Sequence, residues 1–417
     1  MQHSDSASRA TSEPAVPERR QKRDIFFAAC LVIYAATGSI YVFDSGLPQP
    51  ADFVLALGTL VMLTAARIPK QFADIIGLFA ALAIYCVFIS GVWTLLIADP
   101  DMLRPAMYYV YNIAAFVAIL MLYTRCPNFF FRTVRLMLLF ALGSILVQYL
   151  LFYDASRIRQ MLGFNNPNQP AYFSLCLLSI ALLLLYAGKI SRLQFLACYF
   201  FFSWIVLISL SMTALAALLL ASFLAFLLLW KGSVKEVLVA VTLAAVGLAA
   251  ASSYVVRNDR FLESFETRMT MDRAQGKIDD VGVRRGYSRI IELPHLAIFG
   301  AGESGRHRFD IKHRQEIHSS IGTILFSYGL FGLFVYLYFH VYVLRKGGLF
   351  PFLILMVPFT YSLTHQGLRT TMFWIFIAAA LAVISALKSG SRGNRVRWKL
   401  KRNGAAGQRW SGPATAD

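Results

Sequence analysis

Residues 213–230 read TALAALLLASFLAFLLLW, a run of 18 residues without a charged side chain. A helix needs about 20 predominantly apolar residues to cross the hydrocarbon core of a bilayer. Similar runs recur along the whole chain, of whose 417 residues 58% are hydrophobic and 15% are charged. About a quarter of the residues of an ordinary globular protein are charged. The sequence therefore predicts an all-α polytopic membrane protein.

Twelve apolar segments are candidate transmembrane helices, and one long polar segment separates the ninth from the tenth. The polar segment, 256–318, carries interleaved basic and acidic residues and four histidines. The two tails, 1–24 and 389–417, are polar and mostly basic. We place the twelve apolar segments at 25–43, 53–66, 73–97, 105–123, 133–153, 170–187, 194–210, 213–230, 237–255, 319–344, 349–366 and 370–388.

The charges of the short connections orient the predicted helices. One set of connections comprises 44–52, 99–104, 154–170, the hinge near Ser211, the polar segment and 364–369, and the short connections of this set are acidic or only sparsely basic. Basic residues predominate in both tails and in the other short connections, at 67–70, 125–135, 189–192, 231–235 and 345–346. Positive residues collect on the cytoplasmic side of a membrane. We therefore expect a bacterial inner-membrane protein with both termini in the cytoplasm and with 256–318 in the periplasm.

Charge, cysteine content and motifs narrow the class of protein further. The net charge of +18 lies largely in the tails and short connections, so it does not indicate a nucleic-acid partner. The five cysteines contain no CxxC pair, which predicts neither a disulfide framework nor a structural zinc site. Asp99-Pro100-Asp101 is either a divalent-cation site or a turn, and we favour the turn. Walker, HExxH and GxSxG motifs are absent from the sequence.

His318 is the first candidate for chemistry, because it lies where the chain re-enters the membrane from the polar segment. It is followed by Ser319, nine residues, Gly329 and Gly332. An imidazole titrates near neutral pH, which suits a general base, and glycines permit close approach of neighbouring helices. The alternative is an interfacial histidine beside an ordinary glycine-containing helix.

The second candidate is the turn Asn166-Pro167-Asn168, which follows Arg157 and Arg159. Asparagine and proline at this density form a turn, and the amide side chains can bind sugar hydroxyls or the backbone. The alternative is a loop that only caps the next helix.

The third candidate is the run RRGYSR at 284–289, which precedes LAIFGAG at 296–302. Guanidinium groups bind phosphate oxygens in pairs and stay charged, so Arg284, Arg285 and Arg289 suit a diphosphate, while Tyr287 suits a sugar ring. The alternative is that these arginines pair with acidic residues of the same segment.

In this order, the motifs resemble those of the O-antigen ligase and Wzy-type polysaccharide polymerase superfamily, bacterial inner-membrane glycosyltransferases of GT-C-like architecture. The resemblance covers about residues 140–345, and its most specific part is the His-Ser pair, nine residues and GxxG. The Asn-Pro-Asn turn and the run FGAG at 299–302 are also similar. The sequence departs from the family's ligases at Met212, where they have an arginine that holds the lipid-linked donor. Arg157, Arg159 or Arg268 could replace that arginine.

The resemblance implies transfer of a glycan from undecaprenyl diphosphate to a sugar hydroxyl, with no metal, no cofactor and no nucleotide sugar. His318 would take the proton of the acceptor hydroxyl. Arg284 and Arg285, helped by Arg268 and Arg289, would stabilise the departing diphosphate. The expected partners are the lipid-linked glycan and the bilayer, with a flippase and a chain-length regulator as protein partners.

Three functions are compatible with these residues. We favour an exopolysaccharide, capsule or O-antigen polymerase, partly because Met212 counts against the second function, an O-antigen ligase that transfers glycan to lipid A–core. The third function is a lipid-linked oligosaccharide transporter, which should carry ionisable residues inside its spans. Here His340 and His365 lie close to segment ends, and charge concentrates in the polar segment.

Overall fold

The computed structural model describes residues 18–44, 46–64, 67–154, 156–157, 159–230, 286–309 and 316–406. Within these ranges the regular structure is helical, and no strand occurs in them. The helices are α1 (Glu18–Thr37), α2 (Pro50–Leu63), α3 (Ala73–Ile97), α4 (Leu103–Arg125), α5 (Pro127–Phe152), α6 (Asn168–Tyr186), α7 (Arg192–Ser209), α8 (Met212–Trp230), α9 (Ser288–Glu292), α10 (Leu296–Phe299), α11 (Ser320–Gly347), α12 (Leu349–Ser362) and α13 (Thr371–Ala406).

Eight of the described helices are long and apolar enough to cross a membrane: α3 to α8, α11, and α13 as far as Ser389. This finding confirms the predicted polytopic membrane protein. Helices α2 and α12 are also apolar but have 14 residues each, and that length reaches about 21 Å of a hydrocarbon core about 30 Å thick. The predicted segment 237–255 lies outside the described residues, so the number of twelve spans stays a prediction.

Helix boundaries differ from the predicted segments in several places, and α1 ends at Thr37, whereas the predicted segment continues to residue 43. Helix α1 includes residues 18–24, which we had assigned to the N-terminal tail, and α13 continues through 389–406 of the C-terminal tail. Between α4 and α5 the predicted connection 125–135 shrinks to Cys126. Pro127 can start a helix there, because the first position needs no backbone N–H and favours the fixed φ of proline.

Helices α6 and α13 form the centre of the bundle. Helix α6 packs on α7, α8, α12 and α13, and α13 also packs on α4. The sequence explains this position, because a helix that is apolar on all sides is usually buried. In the most apolar 18-residue stretch of α6, 83% is buried. Helices α5 and α8 are peripheral and expose large apolar side chains, among them Leu150 and Phe223. Such surfaces suit contact with lipid chains.

The connections that charge assigns to one side of the membrane meet at one end of the bundle. The α1–α2 connection contacts the α5–α6 connection through a 2.9 Å hydrogen bond from the Tyr41 amide to the Gly163 carbonyl. The Gln160 amide donates to the Ile208 carbonyl at the end of α7. The structure thus confirms that these connections lie together. Which side of the membrane this end faces remains a prediction.

Residues 286–309, which we call the outer segment, pack across α3 and α11 at that end. The Tyr85 hydroxyl donates to the Phe299 carbonyl at 2.6 Å, and the Trp93 indole donates to the Gly300 carbonyl at 3.0 Å. Helix α11 is interrupted at Gly329, whose φ of +66° suits glycine. The amides of Ala301 and Gly302 bond the carbonyls of Phe326 and Ser327, just before that interruption. The backbone of the outer segment is therefore fixed by hydrogen bonds to two side chains of α3 and to the backbone of α11.

Candidate functional site

A cavity of about 420 Å³ opens at the end of the bundle where the connections meet. Its walls come from the end of α1, the α1–α2 connection, the start of α4, residues 164–173, the α12–α13 connection, and Glu303, Ser304 and Glu316. Ligand cavities in proteins commonly measure about 300–1,000 Å³. This cavity is therefore large enough for a small ligand or for part of a larger one.

Arg369 links two carboxylates across one wall of the cavity. Its guanidinium lies 2.7 Å from Glu303 Oε1 and 3.0 Å from Glu316 Oε1, and the Glu303 carboxylate also accepts a 3.1 Å hydrogen bond from Tyr328. The Glu303 side chain is 2% exposed and that of Arg369 is 30% exposed. Burial lowers the pKa of Arg369, but the two carboxylates prevail and hold that pKa above its ordinary value. The bridge joins the outer segment to the α12–α13 connection.

His318 is exposed on the short segment that precedes α11, and both neighbours of that histidine are anchored. The Ile317 carbonyl accepts hydrogen bonds from Gln366 at 3.1 Å and from Thr323 at 3.0 Å. Ser319 caps α11 by accepting from the Gly322 amide at 3.1 Å. Glu316 and Gln366 line the cavity, whereas His318 itself does not. The imidazole thus belongs to a fixed segment next to the cavity wall.

Arg159 reaches the turn between α7 and α8, where the resemblance predicts an arginine and the chain has Met212. Its Nε donates to the Ser209 carbonyl at 2.8 Å, and its Nη2 donates to Asn168 Oδ1 at 2.5 Å. Arg157 instead pairs with Asp154 at 3.1 Å on the surface. Met212, the first residue of α8, is exposed. Of the three candidate arginines, the structure brings Arg159 to this turn, and Arg268 lies outside the described residues.

His365 was not among the predicted site residues, because the sequence showed only that it lies close to a segment end. Its ring stacks on Tyr361 with centroids 4.5 Å apart, and its Nδ1 lies 2.9 Å from the Thr364 hydroxyl. Tyr361 donates to the Asn168 carbonyl, and the Ser320 hydroxyl donates to the His365 carbonyl at 3.3 Å. His365 is therefore linked through Tyr361 to Asn168, which Arg159 also contacts, and through Ser320 to the start of α11.

The other predicted site residues contact neighbouring parts of the protein or lie outside the described residues. Arg289 is 4% exposed, and its guanidinium lies over the rings of Phe309 and Phe326 rather than in the cavity. The Tyr287 hydroxyl donates to the Leu363 carbonyl at 3.1 Å. Asn166 is exposed, and its side chain accepts from the Asn168 amide at the start of α6. Arg284 and Arg285 are not among the described residues.

Arg308 holds the outer segment on α3, a role that no sequence motif indicated. Its guanidinium lies 4.1 Å from the centroid of Trp93 and donates to the Ala301 carbonyl. Burial, with a further contribution from the charge of Arg289, lowers the pKa of Arg308 to about 10, against the opposing effect of Asp99. Arg308 remains charged at neutral pH and acts here through packing.

The Asp99-Pro100-Asp101 sequence forms the turn that we favoured. The Asp99 side chain accepts from the Asp101 amide at 2.9 Å, and Asp101 pairs with Arg104 at 2.6 Å. Among the described residues, no group of three or more His, Cys, Asp or Glu side chains is arranged to hold a metal ion. The two aspartates are thus explained by the turn and its ion pair.

Comparison with known proteins does not assign the chain to a family. No protein-family model matches the sequence, and no curated protein matches it. The class of protein that the fold defines is therefore a polytopic helical membrane protein with a polar cavity at one end of its bundle.

Proposed function

We propose that this protein is a polysaccharide polymerase of the bacterial inner membrane. It transfers a glycan from undecaprenyl diphosphate to a sugar hydroxyl at the periplasmic face. The observation that carries the proposal is the anchored His318 segment beside a polar cavity, at the end of the bundle to which charge assigns the periplasmic connections. Residues 140–345, which resemble the family, supply the histidine segment and part of the cavity wall.

In the proposed reaction His318 takes the proton of the acceptor hydroxyl as the acceptor oxygen bonds to the anomeric carbon of the donor. The bond between that carbon and the diphosphate oxygen breaks, and undecaprenyl diphosphate leaves with the electron pair. Arg284, Arg285 and Arg268 are the proposed stabilising cations for the departing group. Because Arg289 is buried against aromatic rings, we now assign it to packing of the outer segment.

The second candidate function is an O-antigen ligase, which performs the same chemistry on a lipid A–core acceptor. The position of Arg159 supports the ligase function, because its guanidinium lies at the turn where the chain has Met212 and the ligases have an arginine. Met212 alone therefore no longer separates the two functions. A transporter fits the described spans less well, since His340 in α11 is enclosed by Tyr336 and Phe359 and bonds its own helix.

The proposal is tested with purified protein in liposomes and an undecaprenyl-diphosphate-linked repeat unit. We expect polymer to lengthen without lipid A–core, and His318→Ala to lower its rate of formation by at least about 100-fold, the usual contribution of a general base. His295→Ala is the matched control, because His295 is an exposed histidine of the outer segment that does not line the cavity. This variant should retain the wild-type rate.

Two outcomes would change the assignment. Normal polymer from His318→Ala would remove this histidine from the mechanism. Product that forms only when lipid A–core is supplied would identify a ligase. The His318→Ala variant must be inserted in the membrane at the wild-type level, which proteoliposome flotation measures.

A further inference from the structure

The cavity is acidic in a chain that is strongly basic. Among the described residues, four carboxylates line it, those of Asp52, Asp101, Glu303 and Glu316, and they face two guanidinium groups, those of Arg104 and Arg369. The formal charge of the described lining residues is therefore −2, whereas that of the chain is +18. This contrast bears on which ligand the cavity accepts.

Both arginines of the cavity are already paired. Arg104 lies 2.6 Å from Asp101, and Arg369 bridges Glu303 and Glu316. An anionic ligand would have to break one of these ion pairs or add a negative charge to an acidic wall. Both cost free energy, because charges interact more strongly in a partly enclosed site than in bulk water.

The rest of the lining offers neutral hydrogen-bonding groups and aromatic surface. Tyr41 and Tyr108 are partly exposed and contribute hydroxyl and ring surface, and the buried Tyr34 and Tyr172 and the amide of Gln366 also line the cavity. Tyr172 is stacked on Tyr361 with centroids 4.5 Å apart. Hydroxyls donate to carboxylates and exchange hydrogen bonds with tyrosine hydroxyls, and the apolar face of a sugar ring packs on an aromatic ring. A chain of uncharged or amino sugars satisfies these groups.

We propose that this cavity is the acceptor subsite, that it binds glycans of neutral or amino sugars, and that it rejects glycans bearing uronic acids or phosphates. This inference rests on the proposed function, because only a transfer reaction has a donor and an acceptor. It states that the acceptor, and not the donor, occupies the cavity. It also places the diphosphate of the donor outside the cavity. Sugar binding and its charge preference are measurable without any transfer reaction.

The test is direct binding of trisaccharides to the full-length protein in nanodiscs. A glycan array presents several backbones, each in a neutral, an amino and a uronic acid form. We expect neutral and amino members to bind and the uronic acid members of the same backbones to bind at least about tenfold more weakly at low salt. Inorganic pyrophosphate should not displace the bound neutral trisaccharides.

A pair of double variants tests whether the cavity carboxylates cause this preference. Asp52→Asn with Glu316→Gln changes the formal charge of the lining from −2 to zero. An asparagine at 52 keeps an oxygen to accept from the Gln49 amide, and Arg369 keeps Glu303 as its partner. Asp44→Asn with Glu292→Gln makes the same chemical changes at two exposed residues outside the cavity. We expect the first variant to lose the preference and the second to keep it.

Each outcome bears on the proposal separately from the transfer reaction. Equal or tighter binding of uronic acid trisaccharides, displacement by pyrophosphate, or the absence of any binding would overturn it. An unchanged preference in the Asp52→Asn, Glu316→Gln variant would show that the cavity is not the binding site. The protein could bind sugars with the expected charge preference and yet transfer no glycan. That result would reject the proposed function, but the cavity would still be a sugar-binding site.

Discussion

At the scale of single residues, the site depends on the pairing of Arg369 with Glu303, which is 66 residues away in the sequence. The sequence shows both residues but gives no reason to join them, because each belongs to a polar connection. Packing buries Glu303 almost completely, and a buried carboxylate needs a cation and hydrogen-bond donors. Arg369 and Tyr328 supply them.

Arg369→Gln should therefore destabilise the protein and reduce activity. Removing one partner of a fully buried ion pair costs about 3–5 kcal/mol, and we expect about 2–3 kcal/mol here because the Arg369 side chain is 30% exposed. Thermal unfolding in detergent micelles measures the loss as a lower midpoint. Glu316→Gln should lower the midpoint less, since the Glu316 side chain is 32% exposed.

The double variant Arg369→Gln, Glu303→Gln separates the ion pair from general damage. Replacing both charges removes the uncompensated carboxylate, so this variant should recover much of the lost stability. If the double variant unfolds at the same midpoint as Arg369→Gln, or lower, then Arg369 stabilises the protein through some contact other than Glu303.

At the scale of elements, the interruption of α11 allows the outer segment to pack on the bundle. We predicted that Gly329 and Gly332 permit close approach of neighbouring helices. In the structure the close neighbour of Gly329 is the outer segment, because a Cβ atom at Gly329 would overlap the Ile298 carbonyl oxygen. The GxxG pattern thus indicated a close approach correctly, but the partner depends on how the chain returns to the bundle.

Gly329→Ala should loosen the outer segment. The backbone conformation of Gly329, with φ +66° and ψ −167°, is one that essentially only glycine adopts, so a side chain there costs about 1–3 kcal/mol, and contact with the Ile298 and Phe299 backbone adds to this cost. Gly143→Ala is the matched control, because Gly143 lies in α5 with open space around its missing Cβ. We expect faster hydrogen exchange at Ala301 and Gly302 in the first variant only. Unchanged exchange at these amides would show that the interruption is not required for packing.

At the scale of the whole molecule, the acidic connections, the cavity and His318 lie at one end of the bundle. The basic connections lie at the other end. Arg125, at the end of α4, pairs with Asp24 at the start of α1 at 3.2 Å on the basic end. The positive-inside rule assigns that end to the cytoplasm. The proposed function requires this orientation, since a lipid-linked donor would be used on the opposite face.

Cysteine labelling in spheroplasts tests the orientation. His307→Cys places a thiol on the exposed outer segment, and Ser191→Cys places one in the α6–α7 connection at the basic end. Four native cysteines are buried and Cys126 is partly exposed, so a Cys126→Ser background is suitable. A membrane-impermeant maleimide should label the first variant in intact spheroplasts and the second only after permeabilisation. The reverse pattern would remove the periplasmic site and the proposed function with it.

The sequence by itself determined the class of protein, the positions of eleven of the twelve predicted apolar segments as helices, and the grouping of the polar connections at one end. These properties follow from local composition, because a span needs a long apolar run and because helices that cross in turn must alternate direction. Tertiary structure alone decided which polar residues meet. It brought Arg159 to the α7–α8 turn, enclosed Arg289 between aromatic rings, and joined Glu303, Glu316 and Arg369 beside the cavity. Such pairings depend on the packing of segments far apart in the chain, where burial makes an uncompensated charge costly.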